Sequence, residues 1–388
     1  MGYIQINQRA LDNHRIIMSV GGSISAYRTP DIVRDLKREG AEVQCILSDA
    51  ASKIIGEEAL EWASGMPVLR HLTGVMEHIT FFEDQRKKNV FLMCPATYNQ
   101  IGKIASGIAD GMAETMFANA LGTGTEIVVV PAMHYEMYNS AINMENIRKL
   151  RKLGVNVVEP RIEDGKAKIM WSDEIIDEIL RRNVKNESIL IISGKSELPI
   201  DPVRSLSNKS SGLTGISLVR AARRMGYEKI TYLGNSEYRI PLYCSWIKAY
   251  NIDDFYQKTI DFLRENRVDY IIIPAALSDF RYEKSGEKIE SKREIELLLK
   301  PREKLVEHIN EITEKWEKKP RIIRFKLGRD DFEPQADYDY MTILNRVSDE
   351  PFGEGKREYT IFKGKEKIKK EKMDKIELAA FILEEMEK

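Results

Sequence analysis

Short, nearly continuous apolar runs recur along the chain, separated by mixed polar segments. Residues 15–20 (Arg-Ile-Ile-Met-Ser-Val) read as a buried strand running into Gly21 and Gly22. Residues 29–39 read as a helix with Pro30 in its first turn. Further strands are expected at 42–47, at 89–94 with Pro95 as the stop, and at 126–130 with Pro131 as the stop. Apolar strands with helices between them mean a parallel sheet covered on both faces. The pattern then restarts. A helix over 174–182 is followed by the polar stretch 183–187 and a fresh strand at 188–192 ending in Ser193 and Gly194. A helix follows at 215–225, with strands at 229–233, 270–273 and 321–325 and a charged helix over 370–388 to close. The expected fold class is α/β, with two Rossmann-like domains, each a mainly parallel sheet flanked by helices. They cover residues 1–185 and 186–388, with the boundary near 184–187.

Hydrophobic residues make up 43% of the chain, enough for a core in each half. The 60 basic and 61 acidic side chains leave a net charge of -1, so no overall positive field points to nucleic acid and no basic tail to a membrane surface. The N-terminal stretch is polar, and no apolar run reaches about 18 residues, so neither a signal peptide nor a transmembrane helix is expected. The expected location is the cytoplasm. Cys45, Cys94 and Cys244 are far apart and odd in number, which argues against a disulfide framework and a thiolate zinc site.

In open parallel sheets, ligands bind beyond the carboxyl ends of the strands. Three such ends carry small or hydrogen-bonding residues: Gly21-Gly-Ser-Ile-Ser-Ala26, Pro95-Ala-Thr-Tyr-Asn99 and Pro131-Ala-Met-His134. The first, at a helix start, offers backbone N–H groups and hydroxyls to a phosphate. With Glu77-His-Ile79 and the long run from Pro95 to Asp110, these segments resemble the phosphopantothenoylcysteine decarboxylases, a family of homo-oligomeric flavoproteins with a flavodoxin-like fold. The resemblance spans about residues 15–158. It implies FMN contacts from Gly22, Ser23, Ser48, Thr97 and Asn99, with Ala109 and Asp110 near the flavin. His78 matches the family's essential histidine. The implied chemistry oxidises the cysteine CH2–SH to a thioaldehyde, so that the departing carboxyl has an electron sink. A histidine suits the accompanying proton transfer near neutral pH. Two departures stand out. His134 occupies the place of the family's asparagine after Pro-Ala-Met, as clamp for the carboxylate or source of a proton. The stretch Glu159-Pro-Arg-Ile-Glu-Asp-Gly-Lys-Ala-Lys168 has no cysteine, where the family's flap carries its proton donor.

In the second half, Pro199-Ile-Asp-Pro-Val-Arg-Ser-Leu-Ser-Asn-Lys-Ser-Ser-Gly212 joins proline turns to hydrogen-bonding residues at a helix start, which suits an anionic group. With Ala275-Ala-Leu-Ser-Asp-Phe280, Lys288-Ile289, Arg324-Phe-Lys326 and Asn345-Arg-Val347, it resembles phosphopantothenate–cysteine ligase. That enzyme activates 4'-phosphopantothenate with CTP or ATP and lets cysteine attack the acyl-nucleotidylate. The resemblance implies that Asn208 holds the intermediate's carbonyl and Lys288 offsets phosphate charge. Ser210, Ser211, Gly212, Ala275, Ala276, Asp279 and Phe325 line the nucleotide and substrate site, and Mg2+ accompanies the triphosphate. No metal ligand is assigned. Departures are Gly194-Lys195-Ser196, where Lys195 is expected to add a phosphate contact, Leu213 in place of a lysine, and Lys288-Ile-Glu-Ser291 with Lys292 one place later.

The main expectation is a bifunctional, homo-oligomeric enzyme of coenzyme A biosynthesis acting on small molecules. The alternatives are a ligase alone or a non-catalytic flavin-binding regulatory protein of the same fold. A dinucleotide-dependent dehydrogenase is disfavoured, because no Gly-x-Gly-x-x-Gly follows either opening strand.

Overall fold

The computed structural model describes residues 9–83, 86–281, 287–290, 296–328, 339–346 and 355–388. Lys292 and Val347, both touched by the motif readings, lie outside them. The chain divides into two compact units, one up to Arg181 and one from Arg182 onward.

The first unit holds β1 (His14–Val20), β2 (Glu42–Leu47), β3 (Lys88–Ala96), β4 (Glu126–Pro131), β5 (Met133–His134), β6 (Asn156–Val157), β7 (Arg161–Glu163) and β8 (Lys166–Lys168). Five of them form a parallel sheet in the order β2-β1-β3-β4-β6. Alternate residues feed opposite cores. Ile16, Met18 and Val20 join one apolar cluster, while Ile17, Phe91 and Met93 join another. Burial on both faces is why these strands read as continuous apolar runs.

Pro95, expected to stop β3, lies inside it, whereas β4 ends on Pro131 as expected. Pro95 has no N–H to give, but its carbonyl accepts the N–H of Gly21 at 3.0 Å. The ladder shifts register after Met93 and resumes with Ala96 opposite Pro131. The helix expected at 174–182 spans Ser172–Ile179. A separate antiparallel sheet, β5-β8-β7, ends in a tight hairpin. Its two turn residues, Asp164 and Gly165, both sit at positive φ (51° and 67°), as a two-residue type I′ turn requires.

The second unit holds β9 (Lys185–Ser193), β10 (Glu197–Pro199), β11 (Ser205–Ser207), β12 (Tyr227–Gly234), β13 (Ser245–Lys248), β14 (Tyr270–Ile273), β15 (Phe280–Arg281) and β16 (Lys300–Pro301). It continues with β17 (Arg321–Gly328), β18 (Met341–Arg346), β19 (Arg357–Lys363) and β20 (Glu366–Met373). The main sheet runs β13-β12-β9-β14-β17-β18-β19-β20, parallel up to β18 and antiparallel beyond it. β10–β11 and β15–β16 are small antiparallel pairs. Again the central strand serves two cores, Ile189 and Ile191 on one side, Leu190 and Ile192 on the other.

Two expectations are corrected in this unit. The polar stretch 183–187 is not all linker, because β9 starts at Lys185, whose N–H donates to the Gly226 carbonyl at 2.9 Å. Its polar side chains reflect an exposed strand start rather than unpaired backbone. The closing helix spans only Lys375–Met386, and residues 370–373 belong to β20. Asp374 sets the start, accepting from the N–H groups of Ile376 and Glu377 in a capping box closed by the Glu377 side chain. Among the described residues, no helix is long and apolar enough to cross a membrane.

Candidate functional sites

Beyond the carboxyl ends of β1 to β4 lies a cavity of about 1040 Å³. Its position follows from two glycines. A Cβ on Gly21 would stand 2.5 Å from the Pro95 carbonyl oxygen, and one on Gly22 would stand 2.4 Å from the Ala50 Cβ. Only glycine lets the turn after β1 press against the ends of β3 and β2. Ser23 then caps a short 3-10 helix, accepting from the Ser25 N–H at 3.4 Å. Ser48, after β2, accepts from the Ala51 N–H at 3.2 Å. After β3, Thr97 and Gln100 form a reciprocal capping box that starts the helix Tyr98–Ser106, with Asn99 in its first turn. The free N–H groups of that helix start favour a negatively charged ligand group.

Gly22, Ser23, Ser48, Thr97, Asn99, Asp110 and His134 all line this one cavity, whereas Ala109 and His78 do not. Asp110 is bound by the Lys103 ammonium at 2.8 and 2.9 Å, which holds its carboxyl below the usual range. His78 is half-buried in the helix Glu77–Glu83. Its Nδ1 is buried with no hydrogen-bond partner among the described residues, so the ring is not committed to the fold.

The sequence reading missed a cationic rim of Arg28, Arg70, Arg161 and Lys166, with His71 beside it. Arg161 is 3% exposed, lies 3.7 Å over the Trp171 ring and donates to the Ile169 carbonyl at 2.8 Å. Cys45 and Cys94 lie in the core and do not line the cavity. Burial pushes the Cys45 thiol up to about 12 and Cys94 up as well.

In the second unit the proline turn is a clamp. The Asp201 carboxylate accepts from the N–H groups of Val203 (2.8 Å), Arg204 (2.7 Å) and, across the loop, Ile289 (3.2 Å). Arg204 donates to the Ile289 carbonyl at 3.1 Å. The residue next to Lys288 is therefore pinned from both sides, while the Lys288 side chain is exposed. Burial opposes the Asp201 charge, yet these N–H donors prevail and hold its carboxyl below the usual range.

Asn208 donates from Nδ2 to the Ala276 carbonyl and accepts the Ser210 N–H at Oδ1, 3.0 Å away. Ala275 and Ala276 are hydrogen-bonded to the end of β9, through the carbonyls of Ile192 and Gly194, both at 3.0 Å. Asn208, Ser210, Ala275 and Ala276 thus gather at one place. Gly212, at φ 79°, opens the helix Leu213–Arg224, and Ser211 Oγ accepts its first N–H at 3.4 Å. Lys195 pairs with Glu237 at 3.0 Å. Asp279 is exposed, and Phe325 on β17 packs half-buried against the core. Sequence reasoning gave no role to Ser196, which accepts the Ser278 N–H at 2.9 Å, or to Lys326, beside Phe325. Burial, with Arg324 and Lys304 nearby, pushes the Lys326 amine below its ordinary range. Among the described residues, no group of three or more His, Cys, Asp or Glu side chains is placed to hold a metal ion.

Residues 4–184 match the Flavoprotein family, and residues 184–388 match the DNA/pantothenate metabolism flavoprotein C-terminal domain. The coenzyme A biosynthesis bifunctional protein CoaBC of Thermococcus kodakarensis is 35% identical over 311 residues, 78% of this chain and 76% of that protein. Its namesake from Methanocaldococcus jannaschii is 34% identical over 349 residues, 88% of this chain and 81% of that protein. Among solved structures, the C-terminal domain of a CoaBC protein covers 53% of this chain and 97% of its own, at 23% identity and a TM-score of 0.43. With a flavoprotein domain in front, a pantothenate-metabolism domain behind and relatives that match across both, the chain belongs to the family of coenzyme A biosynthesis bifunctional proteins CoaBC.

Proposed function

We propose that residues 1–185 decarboxylate 4'-phosphopantothenoylcysteine with FMN held in the cavity, and that residues 186–388 make that substrate from 4'-phosphopantothenate and cysteine. The chain is an enzyme of coenzyme A biosynthesis with both decarboxylase and ligase activities. The carrying observation is that seven residues singled out for flavin and substrate, from Gly22 to His134, surround one cavity. The residues present fit a mononucleotide. The glycine turn after β1 and the hydroxyls of Ser23 and Ser48 suit its phosphate, and Thr97 and Asn99 at a helix start suit the adjoining polar groups. When bound, FMN supplies the reversible two-electron oxidation that gives the departing carboxyl an electron sink. His134 faces the cavity to hold the substrate carboxylate, and His78 serves proton transfer from an imidazole not committed to the fold.

In the ligase half, Lys288 neutralises phosphate charge while CTP or ATP, with Mg2+, converts the carboxylate to an acyl-nucleotidylate. Asn208 positions the intermediate's carbonyl for the cysteine amine. Ser210, Ser211 and Gly212 receive an anionic group at the helix start, and Asp279 and Phe325 line the nucleotide. The working form is a homo-oligomer.

One incubation tests the reading: purified protein, 4'-phosphopantothenate, cysteine, Mg2+ and either CTP or ATP, with products identified by mass. The expected outcome is pyrophosphate, carbon dioxide and 4'-phosphopantetheine. A product that retains its carboxyl leaves a ligase alone, and colourless protein that takes up no added FMN removes the decarboxylase half.

A further inference from the structure

When a carboxyl departs as carbon dioxide, the carbon left behind must gain a proton. The cavity of the first unit narrows the choice of donor. No thiol reaches it, since Cys45 and Cys94 are buried elsewhere in the core. Two of its three lysines are already bound. Lys103 holds Asp110 at 2.8 and 2.9 Å, and Lys168 holds Glu163 at 3.1 Å and Asp164 at 2.8 Å. Lys166 lines the same cavity, and its ammonium makes neither a hydrogen bond nor an ion pair among the described residues.

Its place in the hairpin is fixed, although its side chain is exposed. In the antiparallel pairing of β5 and β8, Lys166 stands directly opposite His134, and Met133 opposite Ala167. Directly opposed residues project to the same face with Cβ atoms about 5 Å apart. The hairpin carrying Lys166 is anchored by Ala167, 1% exposed, by Arg161 seated on Trp171 and by the type I′ turn. An exposed ammonium on a fixed backbone position therefore lines the cavity beside the histidine assigned to the carboxylate.

We propose that Lys166 delivers the proton that replaces the lost carboxyl. This rests on reading the first half as the FMN-dependent decarboxylase. The carbon–carbon bond breaks, carbon dioxide leaves, and the electron pair moves onto the neighbouring carbon–sulfur group, previously oxidised at the expense of the flavin. A proton from the Lys166 ammonium forms the new C–H bond. Bound FMN would supply the two electrons that reduce the carbon–sulfur group to the saturated thiol, and solvent reprotonates the amine.

The test uses the full-length holoenzyme with 4'-phosphopantothenoylcysteine, in the absence of oxygen, comparing wild type with Lys166→Met and Lys166→Arg. Arginine keeps the charge and the length but is a far poorer proton donor at neutral pH. Both variants are expected to form saturated thiol more slowly by on the order of a hundredfold, the usual scale for losing a positioned acid. Their first turnover should still release stoichiometric carbon dioxide, with bleached flavin and a product two hydrogens lighter than the saturated thiol. Wild-type rates in Lys166→Arg would overturn the assignment. So would loss of the first burst of carbon dioxide in both variants with flavin still bound, which would make Lys166 a binding residue. A wild type that releases no carbon dioxide would sink the decarboxylase reading itself, and this inference with it.

Discussion

In the first unit, Ser23, Ser48, Thr97 and Gln100 spend their polar atoms on the backbone at the cavity rim, and the groups assigned to chemistry stand apart from that frame. His134 and Lys166 line open space, and His78 has an unclaimed ring nitrogen. In the second unit the motif residues are the frame. Asn208 ties Ala276 to Ser210, and Asp201 ties its own turn to the segment beside Lys288. A substitution in the first cavity therefore removes chemistry and leaves shape, whereas one in the second loop cluster disturbs both. Activity alone cannot assign a role in the second unit; step-resolved assays can.

The sharpest break of this comparison is a reciprocal pair. His78→Asn should stop carbon dioxide release while 4'-phosphopantothenoylcysteine still forms. Lys288→Gln should stop pyrophosphate release while supplied 4'-phosphopantothenoylcysteine is still decarboxylated. Cross-inhibition in either variant would mean that the two sites are not separable.

Asn208→Asp comes next. It should release pyrophosphate yet accumulate acyl-nucleotidylate, because a carboxylate repels the developing oxyanion. It also sets an oxygen against the Ala276 carbonyl where Nδ2 now donates, a mismatch worth about 1–3 kcal/mol. Mass analysis of reactions quenched with and without cysteine separates this from a first-step block.

His134→Ala should lower decarboxylation by at least about tenfold, or ~1.4 kcal/mol of barrier, without loss of FMN. An unchanged rate would remove His134 from the reaction.

The smallest effect concerns acid stability. The Asp201 carboxyl lies below its ordinary range in the folded protein, so its contribution is present above the unfolded value and fades as pH falls through the folded one. Denaturant curves of wild type and Asp201→Asn should therefore differ near neutral pH and converge in strong acid. A gap that widens on acidification would reverse the sign of this argument.

The elements were legible wherever burial was symmetric. β1, β2, β9 and β14 read as continuous apolar runs because both their faces meet a core. The glycine turn was legible because two steric contacts require it. The rim of Arg28, Arg70 and Arg161 was not. A charged residue in a polar hairpin looks solvated until the fold lays it over Trp171. The helix holding His78 was also missed, being short. Asp201 was legible as a turn, but its reach to Ile289, 88 positions away, arises only in three dimensions.

The strand β20 was hidden for a different reason: six of its eight residues, Glu-Lys-Ile-Lys-Lys-Glu-Lys-Met, are charged, a composition that suggests a solvated helix. Its position explains the composition. Among the described residues, β20 is the last of eight strands in its sheet, and one row of its backbone N–H and C=O groups pairs with no further strand. Such a row invites the strands of other chains to add on. Four lysines along the edge make that addition costly, since each newcomer must strip their hydration and share their charge. The sheet thus carries its own barrier to fibrillar growth, and a concentrated or heat-stressed solution of this protein should aggregate from somewhere other than its C-terminal edge.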